Sequence, residues 1–120
     1  MLNLDTHVVL HALAGTLKPR ERSLLSAHEW SMSAIVLWEI AKLAELERVA
    51  IDLDSPELVR ALARIHVWPL TFDVARTSTR LEIAGDPADQ IIGATSVVHN
   101  VPLLTRDRRL IRSRLIPLAR

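Results

Sequence analysis

The chain contains no cysteine. That single absence excludes disulfide scaffolds, cysteine zinc fingers, thiol nucleophiles and iron–sulfur sites together. It contains no tyrosine, one phenylalanine and three tryptophans, so aromatics make up only 3%. A base-stacking platform of the single-strand-binding type needs more than that. Glycine is scarce at three residues, and no glycine-rich loop of the phosphate-cradling kind occurs. No apolar run approaches the length of a membrane span. The opening stretch, Met1 to Ala14, has no basic leader and is interrupted by Asp5, which argues against a signal peptide. The expectation is a cytoplasmic protein with no membrane association.

What is present reads as one globular domain over residues 1–120. Apolar residues are 49% of the chain and mean hydropathy is +0.20, enough to build a core without covalent staples. Net charge is only +1, but arginine outnumbers lysine 13 to 2. Residues 106–120 hold six arginines against one acid, Asp107. The planar guanidinium fork suits phosphate, so Arg106, Arg108, Arg109 and Arg112 are candidate RNA contacts. A solvated helix face explains the same run without a ligand.

Short apolar stretches alternate with helical ones, the pattern of an α/β domain with a mostly parallel sheet. Strands are expected at Met1–Leu4, Glu29–Met32, Val67–Leu70 and Val101–Thr105, with a possible edge strand at Leu115–Leu118. Helices are expected at Val8–Ala14 with Gly15 as the stop, at Pro19–Ala27, and from Ala34 to Glu47 behind the N-cap Ser33. Ser55-Pro56 opens another to about Ile65. Phe72–Ala84 is helical in pattern. Asp86-Pro87 starts a helix running to Val98 or His99, with Asn100 as its turn residue, and Arg108–Arg112 forms a short one. Val49–Leu53 is open between loop and strand.

Four acids stand in apolar company. Asp5 lies at the carboxyl end of the first strand, where open parallel sheets bind ligands; it also suits a helix N-cap. Glu39 lies within Ile35-Val36-Leu37-Trp38-Glu39-Ile40-Ala41, on or beside an apolar helix face. A buried carboxylate there is costly unless paired or holding a cation, and Lys42 at i+3 is one available partner. Asp89 sits in the first turn of a closely packed helix, where the helix dipole also favours an acid. Asp86 is the rival carboxylate there, but as N-cap its oxygens already serve backbone N–H groups. Asp107 follows the strand Val101–Thr105 and can cap the helix after it. Converged, these acids would repel unless a hard divalent cation such as Mg²⁺ or Mn²⁺ lay between them. His7 and His11 are four apart, but an amphipathic face explains them better than zinc does. Trp38 and Trp68 are expected in core or groove packing, and Trp30 there or in a partner groove.

Taken in order, the segments resemble a known family. Asp5-Thr6-His7-Val8-Val9-Leu10 resembles the opening of PIN-domain ribonucleases, and more narrowly of the VapC toxins of bacterial toxin–antitoxin pairs. Ser33-Ala34-Ile35-Val36-Leu37-Trp38-Glu39-Ile40-Ala41 resembles their second acidic motif. Gly85-Asp86-Pro87-Ala88-Asp89-Gln90-Ile91-Ile92-Gly93-Ala94-Thr95 resembles the third, and Leu103-Leu104-Thr105-Arg106-Asp107 the fourth. The resemblance implies a PIN-like three-layer α/β/α sandwich around a central, mostly parallel sheet of about five strands. It implies Mg²⁺- or Mn²⁺-dependent endoribonuclease activity with Asp5, Glu39, Asp89 and Asp107 as the acidic set. Asp5 and Asp89 would hold the principal ion. Thr6, Ser33 and Thr105 would be supporting hydroxyls. A metal-activated water would attack an RNA phosphate in line, leaving a 5′-phosphate and a 3′-hydroxyl. It further implies a homodimer and a VapB-like antitoxin that covers the site. Gln90 departs from the family, which often has arginine there.

Two other readings use the same residues. One is a non-catalytic PIN-like module that binds RNA or a protein. The other is a receiver-like phosphoacceptor, which wants a lysine near its acids; Lys18 and Lys42 are the only lysines, and neither follows a late strand.

Overall fold

The computed structural model describes residues Met1 to Arg120. In chain order the elements are β1 (Leu2–Leu4), α1 (Thr6–Ala14), α2 (Pro19–Ala27), β2 (Trp30–Ser33), α3 (Ala34–Glu45), α4 (Pro56–Ala63), β3 (His66–Trp68), α5 (Phe72–Ser78), α6 (Pro87–His99), β4 (Leu103–Leu104) and α7 (Arg108–Ile111). The four strands pair in parallel in the order β3-β2-β1-β4. This is the expected α/β fold, a parallel central sheet flanked by helices. The edge segment Leu115–Leu118 contributes one bridge, Leu103 to Leu118, rather than a strand. Pro117 has no N–H to add to a ladder. Its carbonyl still accepts from Leu103 N at 2.8 Å, and Ala119 N donates to Leu103 O at 2.9 Å.

The strand order places the site. The chain steps from β1 to β2 to β3 in one direction, and β4 then pairs on the other side of β1. The order reverses between β1 and β4, so the crevice of this sheet opens at their carboxyl ends. Asp5 follows β1 and Thr105 follows β4. Leu2, Asn3 and Leu4 of β1 are all buried, as a central parallel strand covered on both faces requires. Asn3 is the polar exception: its Nδ2 donates to Ile92 O at 3.2 Å and to Ser96 Oγ at 2.9 Å. That pair of bonds ties α6 to β1. Met32, Val36, Ile40, Ile92, Leu104 and Leu110 complete the innermost core.

The helix Phe72–Ala84 is shorter than its pattern suggests. It ends at Ser78, where Ser78 Oγ donates to Ala75 O at 2.6 Å and Thr79 Oγ1 to Arg76 O at 2.7 Å. Hydroxyls that occupy the carbonyls of the last turn compete with its continuation. The helix from Ala34 stops at Glu45 rather than Glu47. There Glu47 takes φ 57°, Glu47 N donates to Ala44 O at 3.1 Å, and Arg48 N to Leu43 O at 2.9 Å. This is a left-handed cap on a non-glycine residue. Val49–Leu53 forms no strand. Trp38 is not in the core; it is 56% exposed, with Lys42 Nζ 6.0 Å from its ring.

Candidate active site

Each acid is delivered by a different element. Asp5 is the N-cap of α1, and its Oδ1 accepts from Thr6 N at 2.7 Å. Its Oδ2 accepts from Thr105 Oγ1 at 2.6 Å, across the β1–β4 crevice. The same Thr105 oxygen accepts from Asp107 N at 3.0 Å, so one hydroxyl joins the ends of two strands. Glu39 comes from α3 and accepts a hydrogen bond from Thr6 Oγ1. Lys42 pairs with Glu45 at 2.9 Å, not with Glu39. Asp89 lies in the first turn of α6, behind its N-cap Asp86, whose Oδ1 accepts from Ala88 N at 2.9 Å. Asp107 caps α7 through Arg109 N at 2.8 Å. Ser33 is buried and caps α3 by accepting from Ile35 N at 3.2 Å.

The electrostatics couple these groups. Asp5 is only 4% exposed, and burial holds its carboxyl above the ordinary carboxylate value despite the Thr105 and Thr6 hydrogen bonds. Burial likewise pushes Glu39 up, with the charges of Asp86 and Asp5 adding to it. Asp89 is pushed up to about 6 by burial, then by Asp5, Asp107 and Asp86, while Arg109 pulls it back. Asp107 is the exception. Burial raises it, but the hydrogen bonds and charge of Arg109 outweigh that and leave it below the usual range. Acids that raise one another in a crevice mark a site under electrostatic stress.

Two of the four candidate phosphate-binding arginines are engaged within the chain. Arg109 Nη2 lies 2.8 Å from Asp89 Oδ2 and 3.1 Å from Asp107 Oδ2. Arg106 forks onto Glu21, with Nε to Oε2 at 2.7 Å and Nη2 to Oε1 at 2.6 Å, and its Nη1 faces His11 Nε2 at 3.0 Å. Arg108 and Arg112 are exposed. His11 therefore serves the Arg106 network rather than a metal pair with His7.

The donor set fits a hard divalent ion by its chemistry. Every candidate ligand is a carboxylate oxygen, and a cation, the Arg109 guanidinium, already bridges two of them. No three acid or histidine side chains are arranged to hold an ion.

A family model described as "PIN domain" matches residues 3–114. The chain belongs to the PIN-domain family. Its four acids lie in the four segments that resemble PIN-domain motifs. Among curated proteins the chain is similar to "Ribonuclease VapC22" of Mycobacterium tuberculosis, with 34% identity over 116 residues, 89% of this chain and 87% of the relative. Two solved structures share the PIN fold. A toxin–antitoxin complex from Klebsiella pneumoniae aligns at TM-score 0.73 and 21% identity, over 93% of this chain and 91% of that one. VapBC2 from Rickettsia felis, bound to a DNA fragment from its promoter, aligns at TM-score 0.74 and 17% identity, over 99% and 98%. At those identities the likeness speaks for the fold.

Glu21 of this PIN domain escapes sequence reasoning, and Arg109 and Gln90 make contacts that it does not foresee. Glu21, 4% exposed, is held down to about 2 by the Arg106 hydrogen bonds against its own burial. Its signal was slight, an acid in the first turn after Pro19. Arg109 reads in sequence as one more member of a basic run. Gln90, where arginine is common in the family, donates Nε2 to Ile83 O at 3.0 Å and pins the loop before α6.

Proposed function

We propose that the chain is a Mg²⁺- or Mn²⁺-dependent endoribonuclease, the cytoplasmic toxin of a toxin–antitoxin pair, with residues 1–120 acting as one PIN-like domain. The observation that carries this reading is the junction at the β1–β4 crevice, where Thr105 hydrogen-bonds both Asp5 and the backbone of Asp107 while Asp89 faces them from α6. Asp5 and Asp89 are assigned the principal ion, with Glu39 and Asp107 assisting. A divalent ion bound there supplies Lewis-acid charge at a phosphoryl oxygen and lowers the pKa of a coordinated water. Thr105 and Thr6 hold the Asp5 and Glu39 carboxylates in orientation. Exposed Arg108 and Arg112 are assigned to RNA phosphates. The name of the curated relative and the toxin–antitoxin assemblies among the fold neighbours support the ribonuclease and a VapB-like antitoxin partner. Exposed Trp38 and Phe72 supply apolar surface for the antitoxin or for a homodimer.

The test is cleavage of a mixed RNA pool by the purified chain with Mn²⁺, read for 5′-phosphate and 3′-hydroxyl ends. Asp5→Asn, with its fold checked by circular dichroism, is expected to abolish cleavage. Thr105→Val is expected to lower the rate by about 10–100-fold through loss of carboxylate orientation. Full cleavage by folded Asp5→Asn sinks the assignment. The bridging position of Arg109 favours one alternative, a non-catalytic RNA-binding module. RNA bound with equal strength by the chain and by Asp5→Asn, and cut by neither, selects that alternative.

A further inference from the structure

We infer that Arg109 is a tethered counter-cation seated where the divalent ion binds, so that the ion binds only by displacing it. The inference rests on the metal-dependent reading above. Arg109 Nη2 donates to the carboxylates of both Asp89 and Asp107, at 2.8 and 3.1 Å. These are two of the four acids assigned to the ion. Nη1 reaches Ala84 O at 3.4 Å, and Nε reaches Asp107 Oδ1 at 3.4 Å. A guanidinium and a divalent ion seated between the same carboxylates compete for their lone pairs and repel each other at that distance.

The guanidinium lies against the loop before α6 at a glycine. Gly85 adopts φ +114°, a conformation that side-chain-bearing residues rarely take, and a Cβ there would lie 2.3 Å from Arg109 Nη1. The Arg109 side chain is 50% exposed, so it can turn into solvent without opening the core. Its neighbour Leu110 is fully buried and keeps α7 anchored while it does so. Arg106 carries the same charge three residues earlier, yet its fork is committed to Glu21 and leaves the acids alone. The arrangement neutralises a crowded acid cluster in the ion-free chain and makes ion binding a competition.

Calorimetric titration of Mn²⁺ into the full chain tests this without reference to cleavage. A half-exposed ion pair is worth up to about fivefold in an equilibrium constant, so removing two is expected to tighten Mn²⁺ binding by about tenfold in Arg109→Gln. Arg114→Gln removes the same charge from outside the seat and is expected to leave affinity within about twofold, since exposed charges are screened. Arg109→Lys, which keeps a cation near the acids, is expected to fall between. Equal affinity in the wild type and Arg109→Gln, or equal tightening by Arg114→Gln, overturns the inference while leaving the metal-dependent reading intact. No Mn²⁺ binding in any variant overturns both. If the Gln variant fails to fold, Arg109→Lys decides: affinity equal to the wild type overturns the inference, tighter binding supports it.

Discussion

Asp89 and Glu21 are both largely buried carboxylates, and their environments drive them in opposite directions. Asp89 is raised from 3.8 to about 6, first by burial and then by three neighbouring acids. A raised carboxyl favours the fold at low pH. That contribution is complete below the unfolded value near 3.8 and is lost as pH rises through 6. The gap of two units corresponds to about 3 kcal/mol against the ionised, metal-free protein. Asp89→Asn is therefore expected to stabilise the metal-free chain at pH 7.5 by about 1–3 kcal/mol, and by nothing at pH 4. Urea melts at the two pH values check this; a loss of stability at pH 7.5 refutes it. Glu21 has the reverse sign. It is lowered from 4.5 to about 2, chiefly by Arg106, so its contribution is present above 4.5 and is lost as pH falls through 2. Glu21→Gln is expected to cost about 2–4 kcal/mol at pH 7 and to flatten the acid limb of the stability profile. Unchanged denaturation midpoints across that range refute it. The acids were legible because each stands in a local string with a cap, a strand end or an apolar run. Their partners were not. Arg106 meets Glu21 across 85 positions of chain and Arg109 meets Asp89 across 20, and no local pattern encodes such meetings.

Among the elements, the helices with polar caps were the most legible. Ser33, Ser55 and Asp86 each cap the helix expected to follow. Gly15 and Asn100 end theirs in the left-handed region. Strands were harder. They span two to four residues, too short for alternation to set their ends, and β4 shrank from an expected Val101–Thr105 to Leu103–Leu104. Ends set by hydroxyl back-bonding, as at Ser78, leave no period to read. The end of α3 is a place where the chain is not at its optimum. Glu47 holds φ 57°, which costs a side-chain-bearing residue about 1–2 kcal/mol, partly offset by the extra freedom glycine has when unfolded. Glu47→Gly is expected to raise stability by about 0.5–1 kcal/mol with no effect on ion binding. A lower melting temperature in that variant would show that the Glu47 side chain contributes more than its backbone costs.

For the molecule as a whole, topology brings the acids together, and paired arginines leave a basic end with fewer free charges than composition suggests. The α/β alternation predicted a parallel sheet, but the reversal between β1 and β4 is a three-dimensional fact that no single segment states. That reversal brings Asp5 and Thr105, a hundred residues apart, within a hydrogen bond. The same assembly divides the four arginines considered as RNA contacts into two populations. Arg106 and Arg109 are paired with acids, whereas Arg108 and Arg112 are exposed and in no ion pair. Of these four, the second pair is free to neutralise phosphates without first breaking an ion pair. Each phosphate contact on a single strand contributes about 0.7 to the slope of log affinity against log salt. The double variant Arg108→Ala/Arg112→Ala is therefore expected to lower that slope by about 1.4 while leaving the melting temperature unchanged. Arg106→Ala is expected to do the opposite, melting early because it strands buried Glu21, with the slope of its folded fraction unchanged. RNA affinity measured from 50 to about 300 mM salt, beside thermal melts, separates the two populations. If Arg106→Ala lowers the slope as much as the double variant does, the division is wrong and the whole basic run engages RNA.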